Sequence, residues 1–463
     1  MAGRVMLVAA AALTVAACSS TGSSTPTEPS TTASGRGLST LVPSVTPSRS
    51  AAAAPGTSAG PATEPLVVAI NATRAAQNLD LTTARALADG TAKAWRGFRL
   101  VGSVAEVLRD PAALTVVAAS KAGPSVRPVT VGGIDPFRDP DRYPLRIAGP
   151  PPAGPAVDVT FGGDIMLGRR VATAAARAGD PSAPLRAIGP RLAAADLTIA
   201  NLESTLSRAG EPQQGGDSFA APPAVMTGLR EAGVDVLSLA NNHTGDFQTE
   251  ALLDTVQRVR AGGIQPVGAG RNVSEAIKPV IVSRNGIRFG FLAFNAIGET
   301  PRATSTAPGA FSVRMPPRTG PLNQSDLAAL TSAVGALRTA VDVVVVLPHW
   351  GQQYTHNPVA AQRTVADALA EAGADLVIGG HPHWVQSVQF LPNKLIAHSL
   401  GNLVFDMDFS QQTQEGVLLE LTYWGKILKA ARLTPYVIDA QFTPRIVSGN
   451  RAEQILADIR NAD

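Results

Sequence analysis

The chain has 463 residues, of which 45% are hydrophobic and 16% charged, and its formal net charge is +3. This is enough globular sequence for two or three domains with real cores, and it excludes a largely disordered chain. The small net charge and the lack of any Lys/Arg block argue against nucleic acid as a partner.

Met1-Ala2-Gly3-Arg4 is a short basic start, followed by an apolar run, Val5 to Ala17, too short to span a bilayer as a helix. The run ends in Val15-Ala16-Ala17-Cys18, which resembles the bacterial lipobox and holds the only cysteine of the chain. In that reading residues 1–17 are a signal peptide, and Cys18 carries lipid that anchors the protein to the outside of the cell membrane. The other reading is an ordinary signal peptide cut near Ala17, which gives a secreted protein. Residues 18–64 are rich in Ser, Thr, Pro and Ala and have too few large apolar side chains to offset ordering entropy. They predict a disordered tether.

Residues 65–149 read as a small α/β accessory domain. Leu66–Ile70 and Leu114–Ala118 predict strands, and Leu81 to Trp95 has helical spacing with Thr82 or Thr83 as N-cap. The segment is faintly similar to one lobe of a type 2 periplasmic binding protein, without a ligand-binding motif. Ala148 to Pro155 is a linker by composition. Beyond it, apolar strand-like runs alternate with helical patterns such as Pro223 to Ala232, Thr249 to Ala261 and Val359 to Ala372. That alternation predicts a layered α/β fold.

The chemistry lies where those runs stop. Val157–Phe161 leads into Asp164, Ala195–Asn201 into Glu203, Val234–Leu239 into Asn242-His243, Val341–Leu347 into His349, and Asp375–Ile378 into Gly379-Gly380-His381-Pro382-His383. Open α/β sheets place ligands at such strand ends. None of the six histidines precedes residue 243. Carboxylate, amide and imidazole together suit Mn, Zn, Fe or Mg rather than a sulfur-rich site, with one or two ions per chain. A two-metal hydrolytic centre needs this donor set. Two local alternatives stay open: Asp164 and Asn242 could each cap a following helix.

Gly163-Asp164-Ile165-Met166-Leu167-Gly168-Arg169, Asn201-Leu202-Glu203, Ala240-Asn241-Asn242-His243-Thr244 with Asp246, His349-Trp350-Gly351, Gly380-His381-Pro382-His383 and Ser399-Leu400-Gly401-Asn402 occur in this order. This set resembles the CapA family of poly-γ-glutamate capsule synthesis proteins, itself similar to the calcineurin-like metallophosphoesterases. The resemblance covers residues 156–448 and implies a metallophosphoesterase-like αββα sandwich. It implies Asp164 as a ligand of one metal, Glu203 as the bridging carboxylate, and Asn242 and His349 at the second metal. His381 and His383 would complete both sites, and His243, oriented by Asp246, would protonate the leaving group. Arg169 would meet an anionic substrate, and Trp350 would either stack on a ligand or pack.

Three positions depart from the family pattern: Met166 replaces a histidine of the first block, Gln353 stands where a Glu is frequent, and His398 where a Tyr is frequent. The implied function is metal-dependent hydrolysis or transfer on a cell-envelope polymer, through a phosphoester or an amide. The alternative is a non-catalytic scaffold, or an anionic-polymer-binding subunit, of a membrane synthesis or export complex.

Overall fold

Thr63–Asn71 is buried along nearly its whole length, as its unbroken Leu66-Val67-Val68-Ala69-Ile70 run requires. It is central in a six-stranded sheet ordered Ala94–Trp95, Phe98–Val101, Ala113–Ala118, Thr63–Asn71, Val126–Pro128, with Arg146–Ala148 also on Thr63–Asn71. The computed structural model describes residues 62–391 and 393–462. The signal peptide, Cys18 and nearly all of the tether therefore lie outside the described residues. The predicted tether end overlaps Thr63 and Glu64, which already pair with Ala148 and Ile147.

The helix predicted from Leu81 to Trp95 is shorter, Leu81–Ala88, and its cap is Asp80, which accepts from the Thr83 N–H at 2.8 Å. Gly90 at φ +76° stops the helix. Trp95 and Phe98 then pair across Arg96 and Gly97, both at positive φ, in a two-residue hairpin.

Two larger sheets follow. One runs Gln265–Val267, Val236–Ser238, Leu197–Leu202, Ala156–Ile165, Glu415–Trp424, Ile427–Ile438, Pro444–Ile446, with Asn402–Val404 also on Ala156–Ile165. The other runs Val280–Arg284, Ile287–Asn295, Val343–His349, Leu376–Ile378, Lys394–Ala397, Val388–Leu391. The strands that carry the predicted ligands run parallel to one another in each sheet, and Ala156–Ile165 is flanked on its other side by the antiparallel Glu415–Trp424.

A single apolar cluster joins Val159, Phe161, Ile199 and Leu419 of the first sheet to Phe289, Phe291, Val345 and Leu376 of the second. The opposite side of the first sheet shares a cluster with Val171, Leu229 and Leu252 of its helices. The opposite side of the second does so with Leu330, Val334, Val365 and Leu369. The molecule is thus a mixed α/β structure with several sheets, and helix pairs with sheet through side chains spaced at helical intervals.

The core does not stop at residue 448. Helix Gly449–Asn461 sends Ile455, Leu456 and Ile459 into the cluster between the sheets. Its Glu453 grips the segment just after strand Thr63–Asn71, accepting from Arg74 at 3.0 Å and from the Ala75 N–H at 2.7 Å, and Arg460 donates to the Thr73 carbonyl at 2.7 Å. The N-terminal sheet is also fastened by Trp424, whose indole N–H donates to the Phe137 carbonyl at 2.8 Å within a shared apolar cluster.

A candidate metal centre at the strand ends

Residues 164, 203, 349, 381 and 383 come from four strand ends, the last two from the same one, and converge. Each is at most 1% exposed. Glu203 is central: its Oε1 lies 3.6 Å from His349 Nε2, 3.9 Å from His243 Nε2 and 4.0 Å from His383 Nε2. Two ligand sets share it, Asp164–Glu203–His349 and Glu203–His381–His383, with the donor atoms of each set within 4.8 Å of one another.

The backbone is shaped for this meeting. His381 and His383 adopt φ +96° and +59°, a left-handed region that side chains seldom enter and that marks functional turns. Gly380 must be glycine, because a Cβ there would run into the Asp164 carboxylate.

Surrounding amides hold the donors in place. Asn201 donates to Asp164 Oδ1 at 2.9 Å and the His381 N–H donates to Oδ2 at 3.0 Å. The Asn402 amide oxygen lies 2.9 Å from His383 Nδ1. The Asn242 amide oxygen lies 2.7 Å from His349 Nε2, and its amide N–H donates to Glu299 at 2.7 Å. Such outer contacts fix which imidazole nitrogen faces the centre.

The donor set fits a divalent cation. Both Glu203 oxygens and both His381 nitrogens are buried without a hydrogen-bond partner. Leaving buried polar groups unpaired is costly unless something else meets them. Burial, then the neighbouring Glu203 charge, pushes the Asp164 carboxyl up to about 7, and burial pushes Glu203 up to about 8. Burial depresses His349 to about 4 and His383 to about 3. A cation offsets the carboxylate penalty, because it binds carboxylates ionised, and burial already keeps the imidazoles in the neutral form it binds.

Beside this cluster, His243 Nδ1 sits 2.7 Å from Asp246 Oδ2. Its ring stacks on Phe219, with centroids 3.8 Å apart. Burial alone would lower this imidazole. The Asp246 hydrogen bond and the Glu203 charge outweigh it, so the net direction is upward. Asp246 is itself fixed by the Phe219 N–H and by Gln214, each at 2.7 Å.

The capping alternatives fail: Gly168 precedes helix Arg169–Arg177 and Phe247 precedes Gln248–Ala261, so neither Asp164 nor Asn242 caps one. Trp350 is a correction. It is completely buried against Phe294, and its indole N–H donates to the His398 carbonyl at 3.0 Å, so it has no face to offer a ligand. Arg169 pairs with Asp406 and lies over the Phe219 ring at 4.3 Å. With Tyr354 and Phe409 it lines an open cavity of about 370 Å³. Met166 is turned into the core beneath the helices, so that position presents nothing to the cluster. His398 is buried and stacks on Trp350, apart from both ligand sets.

Sequence reasoning gave no role to Asn201, Glu299, Asn402 or Asp406. Asn201 and Asn402 stood inside the quoted blocks, where their place at a strand end was the available signal. Glu299 and Asp406 belong to no such block.

Residues 158–407 match the family described as "Bacterial capsule synthesis protein PGA_cap". The chain is 32% identical to the capsule biosynthesis protein CapA of Bacillus anthracis over 57% of its own length and 62% of that protein's. It is 28% identical to the PGA biosynthesis protein CapA of Bacillus subtilis over 57% of its length and 67% of that protein's. It therefore spans about two thirds of these relatives or slightly less. Among solved structures it is similar to a hypothetical protein from Thermus thermophilus, at 18% identity and a TM-score of 0.37, covering 61% of this chain and 99% of that one. Since the matched region is more than half of the chain, the protein belongs to the bacterial capsule synthesis family PGA_cap, together with the CapA proteins.

Proposed function

We propose that the protein acts in the synthesis of a poly-γ-glutamate or related cell-envelope polymer, as a hydrolase or transferase that works with divalent metal. The observation that carries this reading is the His243–Asp246 pair, 2.7 Å apart, beside the cluster centred on Glu203. The three apolar clusters support an αββα layering of the metallophosphoesterase kind. Asp164, Glu203, Asn242, His349, His381 and His383 would hold one or two ions. Bound metal supplies a polarised oxygen and a water acidic enough to attack.

The chain's own residues do the rest. Asp246 fixes the His243 tautomer, so that the Nε2 proton points toward the cluster and is available to a departing oxygen or nitrogen. Arg169, Tyr354 and Phe409 border the open cavity through which an anionic chain would approach. We place the protein outside the cytoplasm, held to the membrane by lipid on Cys18 or secreted, beside a membrane synthesis or export complex.

The test is metal content and turnover of the purified full chain. His243→Asn is expected to keep the metal and lose roughly 10²–10⁴-fold in turnover on phosphoester or γ-glutamyl amide substrates. A second reading, a non-catalytic scaffold, is favoured by the near-complete burial of every ligand. Metal-free protein after incubation with Mn or Zn, and a His243→Asn variant that supports polymer synthesis as well as the wild type, would establish it instead.

A further inference from the structure

A cavity of about 750 Å³ lies away from the metal centre, between the N-terminal sheet and strand Ile427–Ile438 with the start of helix Gly449–Asn461. Its volume falls in the range of small-molecule sites. Five arginines line it: Arg127, Arg138, Arg142, Arg191 and Arg432. Four have carboxylate partners. Arg432 pairs with Asp135 at 2.7 Å, Arg142 with Asp139 at 2.8 Å, Arg191 with Glu420 at 2.8 Å and Arg138 with Asp158 at 2.9 Å.

Arg127 is left over. It is only 3% exposed, its Nε is buried without a partner, and it donates to the Leu433 carbonyl. Among the described residues it has no ion-pair partner. Burial, and then the neighbouring Arg432 charge, pushes its guanidinium down to about 10, so it stays charged at neutral pH. A buried, unpaired charge is among the costliest features a fold can carry.

The same wall holds the start of helix Gly449–Asn461. Its N-cap Ser448 makes no side-chain capping bond, and its first turn has no acidic residue. The free N–H groups and the positive end of the helix dipole thus border the same space.

We infer that this cavity is a second ligand site, for a small polyanion carrying carboxylate or phosphate groups, with Arg127 as the central contact and the open end of helix Gly449–Asn461 beside it. Guanidinium suits either oxyanion through paired N–H donors. The site stands whether or not the metal centre is catalytic. It also gives residues 65–149 a purpose, since Arg127, Arg138 and Arg142 come from them.

Titration calorimetry on the full chain at low salt tests it, with citrate as the carboxylate probe and pyrophosphate as the phosphate probe. Saturable binding of either is expected, and which one binds identifies the chemistry. Arg127→Met should abolish it. Arg142→Gln, on a side chain 73% exposed and safe for folding, should weaken it about three- to tenfold. A His381→Ala, His383→Ala double variant should bind as the wild type does, which separates this site from the metal centre. Neither probe binding, or binding unchanged in Arg142→Gln and in any folded Arg127→Met, overturns the inference.

Discussion

Two glutamates belong to the same sheet region, both buried, yet they sit at opposite ends of the carboxylate range. Glu203 has no hydrogen-bond partner for either oxygen, and burial lifts it to about 8. For Glu420 burial acts in the same direction, but Arg191, Arg138 and Thr434 outweigh it and hold it at about 2. Burial alone therefore says little about a buried acid; its partners decide. Glu420 is complete within the fold, whereas Glu203 is complete only when something positive arrives.

The sharpest way to break this contrast is to remove each acid. Glu420→Ala strands Arg191 and Arg138 and should cost about 3–5 kcal/mol in denaturant unfolding. Glu203→Gln should leave the metal-free protein within about 1 kcal/mol of wild type, because it deletes an unpaired charge rather than a pair. Equal destabilisation by the two would refute the distinction. Acid unfolding comes next. The Glu420 contribution is fully present above pH 4.5 and lost as the pH falls through about 2, which corresponds to about 3 kcal/mol. Glu420→Gln should flatten that acid limb.

Glu203 and Asp164 should give a slope of the same sign in metal binding, but several pH units higher. Their protons, held up to about 8 and about 7, must leave before an ion can bind. Affinity for Mn or Zn is expected to rise at least tenfold between pH 6 and 8, read by competition with a chelator. A flat profile would mean that the carboxylates are not ligands. The smallest effect concerns Trp350. Trp350→Phe should cost about 1 kcal/mol for the lost bond to the His398 carbonyl, with KM unchanged; a raised KM would restore a substrate contact there.

Much of the candidate centre was legible because each of its side chains stands where an apolar strand run stops, a local event that one dimension records. Asp164, Glu203, His349, His381 and His383 are all of that kind. Glu299 was hidden because it lies in a loop and reaches Asn242 only through the fold. The helix after Leu81 was read too long because apolar spacing continued past Gly90, where the backbone turns left-handed. The arginine cavity left no trace at all: residues 127, 191 and 432 share no motif, and only the docking of two sheets brings them together.

That docking depends on the last helix, which holds Arg74 and the backbone of Thr73 and Ala75. Residues 73–75 and 453–460 are nearly four hundred positions apart, so the clasp between them closes a loop of almost the whole chain. During synthesis the N-terminal sheet emerges early, while Trp424, Arg432 and then helix Gly449–Asn461, which all fasten it, come some three hundred residues later. The contacts of this sheet are thus of long range in sequence, and a chain interrupted before residue 449 would lose the Arg74, Ala75 and Thr73 bonds while keeping the Trp424 contact.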